Sequence, residues 1–187
     1  MNRPAASLAD YSLTAKIFHW VTAAAFLAQF PIGFTMVQMT SGSLSTFMYS
    51  LHKSTGFFLL WLVIVRLAYR LRNPVARRGS KLADWHYRAT QAAHYTIYAL
   101  LILVPLTGWL GASAYASLEI FGGLNLPSII PANEARGIWL FWTHGLLAFA
   151  LIVIVAVHVG FAMQGYLDGP EDSVSEAALE QEKPASA

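Results

Sequence analysis

The chain has no cysteine and few charges, and each shortage excludes a class of protein. With none of its 187 residues a cysteine, it can form neither a disulfide framework nor a thiolate-ligated iron–sulfur cluster. Covalent haem attachment, which needs a CxxCH motif, is excluded as well. Only 12% of the residues are charged against 56% hydrophobic, where an average soluble domain has ~25% charged. Such a chain cannot cover its surface with charge, so an integral membrane protein is expected. The length suits one domain of four helices and leaves little for a separate soluble module. The net charge of +2 says little, because the charges are so unevenly spread.

What is present is apolar sequence in lengths that span a bilayer, which takes ~20 residues as a helix. Four such segments run from about Ala15 to Val37, Leu51 to Leu71, Thr90 to Gly111 and Gly137 to Met163. The first contains Pro31 and Gly33, the third Pro105 and Gly108; membrane helices tolerate both residue types, with a kink expected at each proline. The expected fold is all-α, a four-helix transmembrane bundle over 15–165. The opening segment is long, begins with His19 and Trp20 and has no clear A-x-A site after it, so it reads as a span rather than a cleaved signal.

Basic residues give the orientation. Arg66, Arg70, Arg72, Arg77, Arg78, Lys81 and Arg88 cluster around the connection between the second and third spans, opposed only by Asp84. The positive-inside rule puts this connection, and with it both termini, in the cytoplasm of a bacterial inner membrane. Residues 1–14 then form a cytoplasmic lead-in. The stretch 166–187, acidic and rich in Gly, Pro, Ser and Ala, is expected to be a disordered cytoplasmic tail.

The most informative residues are His144 and His158, fourteen apart in the fourth span, with no other ionisable side chain after Arg136 in that span. Fourteen helical steps return to within about 40° of the starting face and rise about 21 Å. One helix therefore presents two imidazoles to the same side, one near each membrane surface. His19 opens the first span at the depth of His158, and His52 opens the second at the depth of His144. Ionisable groups in lipid mark ion paths, proton relays or ligands. Two depth-matched pairs suit bis-histidine ligation of two haems b, one pair to each iron, which fills both axial positions and leaves no open site for oxygen. Bundle cores built from facing helices are a common setting for cofactors, and Gly145 and Gly160 beside the ligands would let a flat macrocycle approach the backbone.

For any one of these histidines alone, the ordinary reading is a hydrogen-bonded interfacial side chain. Zinc fits less well, because structural zinc takes clustered ligands, often with cysteine. His86, beside Trp85, reads as interfacial and solvated. His94, one turn into the third span, lies at the depth of His19 and His158, and spacing alone leaves it a possible partner of His158. His94, Trp85, Lys81 and Arg88 could instead form a quinone site, with an aromatic face at headgroup depth, an exchangeable proton and bases that favour a reduced anion. Haem propionates are the other group these residues could contact, and Lys53 is a further candidate on the outer side.

Several stretches resemble the bacterial cytochrome b561 family, related to the cytochrome b subunits of nickel–iron hydrogenases. They are YSLTAKIFHW at 11–20, LHKSTG at 51–56, HYTIYAL followed by PLTGW in the third span, and the fourteen-residue histidine spacing of the fourth; the outer loop SAY…FGGLNLP is also similar. The resemblance covers about residues 11 to 165. It implies two haems b with axial pairs His19/His158 and His52/His144, and no ligand from the third helix. The chain departs from the family past His158, where PheAlaMetGlnGlyTyr replaces the usual His-His pair and basic-acidic doublet. The implied function is electron transfer across the inner membrane between the quinone pool and a redox partner. Two alternatives are a superoxide:ubiquinone oxidoreductase, as some members resemble, and a membrane-anchor cytochrome b subunit of a dehydrogenase or hydrogenase. An anionic substrate would favour a positive outer face, and here Lys53 and Arg136 are offset by Glu119 and Glu134.

Overall fold

A segment surrounded by hydrocarbon must satisfy its backbone polar groups internally, and a helix does so residue by residue. The four apolar segments accordingly form four long helices: α1 (Leu13–Gln38), α2 (Ser43–Arg72), α3 (Asp84–Ala114) and α4 (Glu134–Leu167). The computed structural model describes residues 12–73 and 84–167, the side chains of 84–87, 122 and 164–167 excepted. The expected acidic tail, its boundary with the bundle and Lys81 thus lie outside the described residues. Each helix contains a stretch long and apolar enough to cross a membrane. The expected all-α four-helix architecture is what the chain adopts, with every helix running one to eight residues past its expected ends (about 43 rather than 51 at the start of α2).

Helix ends and hydroxyls follow the same rule of internal satisfaction. The Ser12 hydroxyl accepts from the Ala15 amide at 3.2 Å, capping α1, and meets the Tyr69 hydroxyl at 2.8 Å, tying the start of α1 to the end of α2. Within the spans Thr22, Ser54, Thr55, Thr96, Thr107 and Thr143 each donate to the carbonyl four residues back, so these hydroxyl hydrogens are satisfied within their own helices. Pro31 and Pro105 lie inside α1 and α3, and both helices continue through them.

Two hairpins make the bundle. α1 packs on α2, α4 packs on α3, and α2 against α3 joins the pairs. The buried core is therefore central, made of Leu59 and Val63 from α2, Leu100 and Leu101 from α3 and Leu151 from α4. The outward faces of α1 and α4 are apolar and exposed: Phe34 is 61%, Trp139 74% and Phe149 63% accessible, as lipid-facing side chains would be. At one end of the bundle lie the α1–α2 turn and the longer α3–α4 loop; at the other lie the start of α1 and the end of α4. These are called the loop end and the terminal end below.

The α3–α4 loop is pinned over the loop end. It holds a short 3-10 turn, Phe121–Gly123, and an isolated bridge between Glu119 and Asn125. The Phe121 amide donates to the Ser54 hydroxyl at 3.0 Å, the Ile129 amide to the Ser113 hydroxyl at 3.3 Å, and the Trp109 indole to the Pro127 carbonyl at 3.0 Å. Ser54 and Ser113 are among the few buried polar side chains described, and their small size lets loop and helices approach closely.

Candidate functional site

At the loop end α2 and α4 bring His52 and His144 together, with ring centroids 6.0 Å apart and planes at 84°. Each ring is seated by the other helix of its own hairpin. A Cβ on Gly33 of α1 would stand 3.0 Å from Cε1 of His52, and one on Gly108 of α3 would stand 3.1 Å from Cε1 and Nδ1 of His144. Both distances are tighter than ordinary packing allows, so only glycine leaves these rings undisturbed. Nδ1 of His144 lies 2.8 Å from the Val104 carbonyl. A carbonyl only accepts, so Nδ1 carries the proton and the Nε2 lone pair is free to bind a metal. Nδ1 of His52 is buried with no hydrogen-bond partner among the described residues. The His52 carbonyl accepts from the Gln29 side-chain amide at 3.0 Å, and the Gln29 oxygen accepts from Thr55 at 3.0 Å, which ties α1 to the turn of α2 that carries the histidine.

The separation of the two rings fits one metal between them. Two imidazoles on opposite sides of an ion, each bonded through nitrogen at about 2 Å, hold their ring centres about 6 Å apart. With one ring's tautomer fixed for coordination and the other holding an orphaned buried nitrogen, the His52/His144 pair suits bis-histidine ligation. No group of three or more His, Cys, Asp or Glu among the described residues is arranged to hold a metal ion, so the donor set there is a pair of imidazoles.

At the terminal end three helices contribute histidines. His19 of α1 and His158 of α4 are close enough to interact electrostatically. His94 of α3 packs directly on His158, with ring centroids 4.9 Å apart and planes at 67°. That is shorter than the about 6 Å a shared metal would need. His19 is engaged differently: its Nδ1 lies 2.8 Å from a guanidinium nitrogen of Arg66, whose carbon also stands 5.4 Å from the Tyr98 ring centroid. Arginine only donates, so Nδ1 of His19 accepts and the ring's proton sits on Nε2.

The remaining sequence candidates are dispersed. Lys53 lies at the loop end, where its ammonium donates to the Ser117 carbonyl at 3.1 Å and faces Glu119. Arg88 is exposed on α3, and the side chains of Trp85 and His86 are outside those described. A Cβ on Gly145 or Gly160 would meet no atom within 4 Å, so neither glycine is packed against protein. Sequence reasoning missed Gly33, Gly108, Gln29 and the Val104 carbonyl, and it assigned Arg66 to the basic connection although α2 carries it within the membrane-spanning helix. An amide and an arginine inside apolar runs were the available signals.

The model of the prokaryotic cytochrome b561 family matches residues 10–166. The chain belongs to that family. It is also 24% identical over 169 residues to cytochrome b561 homolog 2 of Escherichia coli strain K12, covering 88% of each chain. Membership of the cytochrome b561 family implies haem b and electron transport in a membrane. Four apolar helices agree with a multi-pass membrane cytochrome.

Proposed function

We propose that this b561-family cytochrome carries two haems b and passes electrons across the bacterial inner membrane between the quinone pool and a redox partner protein. The observation that supports it most is the His52/His144 pair, two imidazoles from two helices at a metal-compatible separation of 6.0 Å. His52 and His144 would hold the haem at the loop end, facing the periplasm; His19 and His158 would hold that at the terminal end, facing the cytoplasm, where both termini also lie. Bound haem b supplies a one-electron ferric/ferrous couple.

The protein's own part is positional. Gly108 and the Val104 carbonyl hold His144 in the ligating tautomer, while Gly33 seats His52 and Gln29 fixes its helix turn. Two imidazoles to each haem would leave no position for oxygen, so the bound group would supply electron transfer rather than oxygen activation. The fourteen-residue spacing of His144 and His158 sets the two sites about 21 Å apart along α4, which divides the membrane crossing into shorter steps. His94, with Trp85, Lys81 and Arg88 nearby in sequence, forms the cytoplasmic quinone contact.

Purified protein tests this directly by its haem-to-protein ratio and reduced-minus-oxidised spectrum. About two low-spin haems per chain are expected, one for each histidine pair. One haem per chain, or an iron-free protein that still transfers electrons, overturns the proposal.

A further inference from the structure

Arg66 is a charged side chain half-buried in the bundle at the terminal end, and none of the side chains described at that end is a carboxylate. It is half-buried on α2, donates to Nδ1 of His19 on α1 and lies over the Tyr98 ring of α3. The acidic side chains described, Glu119 and Glu134, belong to the loop end. Arg70, one helical turn further on, adds a second guanidinium on the same side of α2. A cation held inside a membrane bundle is costly, and such residues are normally paired or mark the path of a charged group.

The contact with His19 sharpens the point. While Arg66 donates to Nδ1, the only proton of the neutral His19 ring is on Nε2, and neither nitrogen has a lone pair free to coordinate a metal. Ligation by His19 therefore requires Arg66 to change partner. A planar carboxylate is the group a guanidinium fork matches best, through two parallel hydrogen bonds.

We infer that Arg66, beside Tyr98, is the binding site for a carboxylate of the haem at the terminal end, and that it leaves His19 for that carboxylate as the haem enters. This rests on the proposed ligation by His19 and His158. The exchange balances: Arg66 gives up one hydrogen bond and gains two charge-assisted ones, and the His19 proton moves from Nε2 to Nδ1 through water or buffer. The shared chemistry is an oxyanion, and a phospholipid phosphate is the other source of one at this depth.

The test uses the full-length protein and Arg66→Gln, each loaded with haem b or with haem b dimethyl ester, whose carboxylates are blocked. The readouts are the midpoint potentials of the two haems, haem content and phospholipid phosphorus per chain. With haem b, Arg66→Gln should lower the potential of the terminal-end haem and leave the other unchanged, because loss of a nearby positive charge favours ferric iron. Arg66→Lys should restore part of the shift. With haem b the glutamine substitution should also lower terminal-end haem content, and with the dimethyl ester it should leave that content at the wild-type value, since the carboxylate Arg66 would hold is gone. An equal loss of haem content with haem b and with its ester, accompanied by loss of bound phosphorus, would assign the site to a phospholipid and overturn the inference, as would a haem content unchanged with both. If Arg66→Gln fails to fold, the wild-type protein still decides: esterification must alter the terminal-end potential more than the loop-end one, and equal changes overturn the inference. The haem count of the wild-type protein reads the ligation proposal separately.

Discussion

His52 and His144 depend on what the neighbouring helices omit. Gly33 and Gly108 approach the two rings so closely that a methyl group at either would displace an imidazole by a few tenths of an ångström. Axial geometry has little tolerance for such displacement. Gly33→Ala and Gly108→Ala are expected to weaken or lose the loop-end haem, seen as a changed spectrum and potential for that haem alone. Removing a ligand outright is more severe: His52→Ala or His144→Ala should lower haem content by about half and spare the terminal-end haem. His94→Ala should leave both haems in place, because His94 packs on His158 too closely to share a metal with it. Loss of a haem in that variant, measured by haem-to-protein ratio, would show that the terminal-end pairing is wrong.

Among the elements, the α3–α4 loop is the one whose position depends on a few hydrogen bonds. Ser54 receives the Phe121 amide and itself donates to the Ser50 carbonyl. Ser54→Ala leaves that amide without its partner at a cost of about 1 kcal/mol, and faster proteolysis within 115–133 is the expected consequence. Ala116, where α3 ends, has φ 52°, a left-handed conformation that costs a residue with a Cβ about 1 kcal/mol. The helix is closed there by Ser117 donating to the Ala112 carbonyl at 2.9 Å. Ala116→Gly should relieve that strain and raise the thermal midpoint slightly, provided the greater freedom of glycine in the unfolded chain does not offset it.

For the whole molecule, the distribution of basic residues around 66–88 predicts both termini in the cytoplasm. A reporter that works only in the cytoplasm should be active when fused after Ala187, and one that needs the periplasm should not. Helix number and approximate bounds were readable because a spanning helix needs a long apolar run, as 137–163 shows. The depth of each histidine followed from its place in such a run. Which rings meet across helices was not readable, since that depends on rotation about each helix axis. His94 packing on His158 and Arg66 bonding to His19 are contacts of that kind. Gly33 and Gly108 were visible as residues but not as seats, because their role exists only when a second helix lies against them.

Those two seats also bear on how the protein is made. α1 cradles the histidine of α2 and α3 cradles that of α4, so each half-site is complete within one pair of spans that follow each other in translation. The first pair can enter the bilayer with His52 already in position while the second is still on the ribosome. On the proposed ligation, neither histidine pair can close before α4, the last span to be synthesised, reaches the other three. Haem insertion would thereby be deferred to the end of synthesis, and a chain stopped short of α4 would lack His144 and His158 and so hold no complete pair.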